Sequence, residues 1–62
     1  MIPELRKEIE RCEELVSRYN EIPTGAFGAA MIQHEIDAAN EAIDRQDAVA
    51  MVRALSALRE CQ

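Results

Sequence analysis

Little in this chain could staple or metallate a fold. Of its 62 residues only two are cysteine, Cys12 and Cys61, and they lack the paired spacing of a zinc site. Two cysteines are also too few for the disulfide framework of a small secreted domain. Both are expected to be reduced thiols of a cytoplasmic protein. Up-down-up helices would set them at rises of roughly 14 and 20 Å. That offset is awkward for a bridge whose Cα atoms must lie within about 7 Å. The single histidine, His34, has no serine or cysteine beside it at helical spacing. No nucleophile–base pair is therefore written into the chain, and no enzymatic activity is expected.

Positive charge is scarce as well. Seven Lys and Arg are spread among twelve acids, for a net charge of -5. Double-stranded nucleic acid needs a clustered basic face, so it is excluded as a partner, as is an anionic membrane surface. No apolar run approaches the ~20 residues of a membrane span, and the N-terminus shows no signal-peptide apolar core. Glycine occurs only at Gly25 and Gly28, after a helical pattern and a proline. A phosphate-binding P-loop or a dinucleotide fingerprint would follow a strand instead. A chain this short buries only about 60% of its unfolded surface. Without disulfide, metal or cofactor, self-association is the remaining stabiliser, and a homo-oligomer, most simply a dimer, is expected.

What is present is helical periodicity. Ile2, Leu5, Ile9, Cys12, Val16 and Tyr19 recur in steps of three and four. That is one apolar stripe on a helix over about residues 3–20, widened by Leu15. Pro3 suits its first turn, and the solvated face carries Arg6, Lys7, Glu10 and Arg11 with Glu14 and Arg18, the last two an i,i+4 pair. Pro23 biases the preceding residue away from helical geometry. Thr24 is the expected N-cap of a second helix over about 25–45, with Phe27, Met31, Ile32, Ile36 and Ile43 as its large apolar residues. Its early turns are apolar on almost every side, which predicts contact with both a neighbouring helix and a second subunit. Asp47 is the expected N-cap of a third helix over about 48–61. Val49, Val52, Leu55 and Leu58 are its expected core, with Met51 at an edge. Short connections make antiparallel neighbours, so the expected fold is an all-α, three-helix, up-down-up domain spanning residues 1–62.

Two groups could carry a ligand. His34, Asp37 and Glu41 share a helix face, but Met31 stands where a di-iron bundle motif needs a glutamate, so no metal site is expected. The stretch from Ile22 to Met31 is the better candidate. A helix N-terminus there would offer unpaired N–H groups to an anion, and glycine permits close approach by a ligand or a neighbouring backbone. Gly28 costs about 1 kcal/mol inside a helix relative to alanine. Close helix packing against Gly25, Gly28 and Ala29 would compensate, and so would a phosphate-bearing ligand. In the up-down-up arrangement Arg18, Tyr19, Asn20, Thr24, Gly25, Gly28 and Arg59 would gather at one end. Tyr19 could stack a base there while Arg18, Thr24 and the backbone hold phosphate.

The run Ile22-Pro23-Thr24-Gly25-Ala26-Phe27-Gly28-Ala29-Ala30-Met31-Ile32, followed by Ala42-Ile43 and Met51-Val52, resembles small helical accessory proteins of tailed phages and prophages. The resemblance covers about half the chain. It implies a non-enzymatic, anti-defence type of binding protein that blocks a host protein or sequesters a nucleotide-like signal. A helical protein–protein interaction module without a small ligand is the alternative.

Overall fold

A computed structural model describes all residues, Met1 to Gln62. It contains three helices and no strand: α1 (Ile2–Asn20), α2 (Ala26–Arg45) and α3 (Ala48–Glu60). Each helix touches the other two. The long axis of 36 Å reflects α1 and α2, since twenty helical residues rise ~30 Å.

The α1 stripe packs as its spacing predicts. Leu5, Ile9 and Cys12 are buried, and Leu15, Val16 and Tyr19 pack at the edge of the core. From α2 the buried residues are Ala29, Ile32, Ile36, Ala39 and Ala42. Three of these five are alanine, so α2 lies close to its neighbours and each contact buries little area.

In α3 half of the expected core is turned outward: Leu58 is buried and Leu55 packs beside it, but the two valines are not. Met51, Ala54 and Leu58 are buried, whereas Val49 and Val52 are 63% and 52% exposed. The reason is geometric. Positions spaced by three drift about 60° backwards at every step on a helix of 3.6 residues per turn. Val49 and Leu58 therefore lie about 180° apart and cannot share a face. The set spaced three and four, Met51-Ala54-Leu58, keeps to one side, with Leu55 and Cys61 flanking it.

The two connections are built differently. Asp47 caps α3 as expected, its carboxylate accepting from the Ala50 N–H at 3.1 Å. Ahead of it, Gln46 adopts the left-handed conformation with φ 55° and ψ 37°. The Gln46 N–H then reaches Ile43 O and the Asp47 N–H reaches Ala42 O, both at 3.0 Å. This is the Schellman pattern, which satisfies the last carbonyls of α2 within a very short turn. At the other connection Thr24 does not cap α2. The N-cap is Gly25, with φ −91° and ψ −5°, and no side chain bonds there. The chain stays turned through Ile22–Gly25, where the Gly25 N–H donates to Ile22 O at 2.9 Å. That turn moves the helix start one residue beyond the threonine.

Candidate functional site

The corner between α1 and α2 brings together three of the candidate residues, and what joins them is packing. A Cβ on Gly28 would stand 2.6 and 2.7 Å from Cδ2 and Cε2 of Tyr19. A Cβ on Gly25 would stand 2.0 Å from the Tyr19 carbonyl oxygen. Both distances are below any tolerable carbon contact, so only glycine lets α2 start this close to the end of α1. The close approach compensates for the low helix propensity of Gly28. The Tyr19 hydroxyl donates to the backbone oxygen of Gln62, so the same ring ties the end of α1 to the segment two residues beyond α3. Its face lies against Gly28 within the fold.

The remaining candidates take no part in this contact. Arg18 extends into solvent with Glu14 4.0 Å away. Thr24 is exposed. Asn20 edges a shallow groove formed with Val16, Ala26, Ala29, Ala30 and Gln33. Arg59 edges a different groove on α3, beside Val52, Leu55, Ser56 and Glu60. No groove of the molecule is lined by Arg18, Tyr19 and Arg59 together. The first N–H groups of α2 do remain open. Ala26, Phe27 and Gly28 lie in the opening turn, where no side-chain cap and no acidic residue is present.

The acidic stripe has partners of its own. Asp37 accepts from Gln33 Nε2 at 2.9 Å, Glu41 pairs with Arg45 at 2.8 Å, and His34 Nδ1 lies 3.7 Å from Glu35. No three His, Cys, Asp or Glu side chains are grouped so as to hold a metal ion.

One feature escaped the reading of the sequence, and a second was legible only in part. The first is Arg11, which the charge pattern assigns to a solvated face. Its Nη1 donates to Cys61 O at 2.9 Å and its Nη2 to Leu58 O at 2.6 Å. Glu8 holds the same guanidinium at 3.1 Å. That hydrogen bond pushes Arg11 above its already high ordinary range, so it is a permanent cation. Helix C-terminal carbonyls accept well from such a group. No local signal marks this role, because the partners lie on another helix.

The second feature is an exposed apolar face. Phe27 is 77% exposed, Met31 56% and Ile22 51%. Phe27 and Met31 are four residues apart and so lie on one side of α2. Phe27 and the fully buried Ile36 are nine residues apart, about 180° around the helix. The only phenylalanine thus points directly away from the core. This could have been read from the sequence once Ile36 was taken as the core marker.

The chain matches no protein-family model, no curated protein and no solved structure.

Proposed function

We propose that this protein is a non-enzymatic binding module whose working surface is the α2 face carrying Phe27 and Met31. The carrying observation is the exposure of Phe27. A fully turned-out aromatic ring, continued by a methionine one turn on, is the kind of anchor that interfaces bury at their centres. Val49 and Val52 add further exposed apolar area on α3. Only 11 of 62 residues are buried, and the accessible surface is 4394 Å². A folded monomer of this mass exposes about 4,000 Å² by size scaling. The surplus supports an assembled state, and a homodimer of up-down-up subunits is the simplest arrangement. The resemblance to phage accessory proteins supports a cytoplasmic role in which the assembled dimer blocks a host protein.

Sedimentation equilibrium of the native chain and of Phe27→Glu tests this reading. Native protein at micromolar concentration should weigh at least twice the 7.0 kDa chain mass. The variant should keep its helical circular dichroism and sediment as a monomer. A native monomer, or an oligomer indifferent to Phe27→Glu and Met31→Glu, would overturn it.

A second reading rests on the uncapped N–H groups of Ala26, Phe27 and Gly28. A nucleotide phosphate is the anion such a helix start favours, with Asn20 and Thr24 nearest in sequence. A nucleotide at 100 times its dissociation constant should add ~2.7 kcal/mol of stability. Absence of any thermal shift across a panel of mono-, di- and cyclic nucleotides would remove this reading.

A further inference from the structure

The two thiols rest on neighbouring carbonyls in the last turn of α3. Cys12 is wholly buried in the middle of α1, and its Sγ lies 3.5 Å from Leu58 O. Cys61 is partly exposed, and its Sγ lies 3.5 Å from Ala57 O. Those two carbonyls belong to adjacent residues, separated by ~1.5 Å along the helix axis. Arg11, the neighbour of Cys12, grips both Leu58 O and Cys61 O. The end of α3 is therefore held down on α1 at the level of Cys12. The register is set by the last turn of α3, which packs against Arg11 and Cys12. Both cysteines are free. Burial is the main influence pushing the Cys12 thiol above its ordinary range, and the neighbouring Cys61 side chain adds to it. Cys61 also follows the last helical residue, with extended backbone at φ −73° and ψ 130°. It can adjust without breaking the α3 ladder.

We infer that Cys12 and Cys61 form a peroxide-responsive thiol pair, in which the partly exposed Cys61 is oxidised first and buried Cys12 resolves it as an intrachain disulfide. The Cys61 thiolate attacks one oxygen of hydrogen peroxide, and the O–O bond breaks. The products are a sulfenic acid and hydroxide, which takes up the proton lost by the thiol to become water. The Cys12 thiol then gives up its proton as its sulfur attacks the Cys61 sulfur. An S–S bond forms, the S–O bond breaks, and the departing hydroxide leaves as a second water. Two thiols are oxidised by two electrons, and one peroxide is reduced to two waters. The bridge closes a loop of about 50 residues and covalently locks the seam that Arg11 and Tyr19 hold by hydrogen bonds. Such a lock restricts the unfolded chain strongly.

The test uses the full chain, reduced and then exposed to hydrogen peroxide at low micromolar concentration. Products are read by intact mass, by peptide mapping without reduction, and by thermal unfolding. The expected product is a monomer lighter by about 2 Da, as loss of two hydrogens requires, with a Cys12–Cys61 linked peptide. Its Tm should rise by on the order of 10 °C or more and fall back with dithiothreitol. Cys61→Ser, at a partly exposed site, should fold, form no bridge and leave Cys12 unoxidised under the same treatment. Sulfinic acid at Cys61 beside an unoxidised Cys12 would overturn the inference. So would intermolecular dimers as the only disulfide product. A bridge that leaves Tm unchanged or lower would overturn the lock.

Discussion

The Tyr19 ring rests on the bare Cα of Gly28, so close that a methyl group there would stand 2.6 Å from Cδ2. This contact makes the glycine a packing residue. Gly28→Ala gains about 1 kcal/mol in helix propensity but overpacks a rigid ring, which costs about 1–3 kcal/mol. A net loss is expected in urea unfolding. Tyr19→Ala should turn the same substitution into a gain, so the double-mutant cycle should show coupling of about 1 kcal/mol or more. Additive effects would mean that ring and glycine do not touch. Gly25→Ala should be worse than Gly28→Ala, because its obstacle is the Tyr19 backbone oxygen at 2.0 Å.

The two helix starts should respond in opposite ways. Asp47→Ala removes the acceptor of the Ala50 N–H and should cost about 1 kcal/mol. Thr24→Val removes no cap, since α2 has none from a side chain. It should change stability by less than about 0.5 kcal/mol. Equal losses in the two variants would contradict the cap assignment.

Arg11→Met keeps the aliphatic stem and deletes both bonds to the end of α3. Hydrogen bonds from a charged donor contribute about 1.5–3 kcal/mol each at most, and partial exposure lowers that. A loss of about 1–2 kcal/mol is expected. Amide exchange should accelerate most over the last turn of α3, while the middle of α2 accelerates only by as much as global stability falls. Uniform acceleration would argue against a local clamp.

Gln46 holds a left-handed backbone, with φ 55°, that costs a side-chain-bearing residue about 1 kcal/mol or more. Gln46→Gly relieves that cost and adds unfolded-state entropy. A net stabilisation of about 0.5 kcal/mol is expected, read as a higher urea midpoint with the slope unchanged.

Alkaline pH should weaken the fold through Cys12. Burial raises this thiol above its ordinary value of 9.0, so the folded chain keeps a proton that the unfolded chain releases. The stabilisation is complete below the unfolded pKa and declines as pH rises toward the folded one. Urea midpoints of the reduced chain should therefore fall between about pH 8 and pH 10 more steeply than those of Cys12→Ala. Parallel pH profiles would show that Cys12 does not contribute.

The sequence alone determined the helices. Spacing of three and four set α1 and its buried side, Asp47 marked the start of α3, and Pro23 with two glycines marked the break before α2. These signals are local, carried by residues within a turn or two of one another, and local rules suffice to read them. Tertiary structure decided everything that depends on how one helix turns toward another. The α3 valines face outward because a spacing of three winds around the helix. Thr24 falls one residue short of the cap because the turn runs on to Gly25. Arg11 leaves its solvated face for two carbonyls some fifty residues away, and Cys12 and Cys61 rest on neighbouring carbonyls because α3 ends against that same arginine. Such contacts join residues that share no local pattern, so their partners are specified only once the alanine-rich face of α2 has drawn the three helices together.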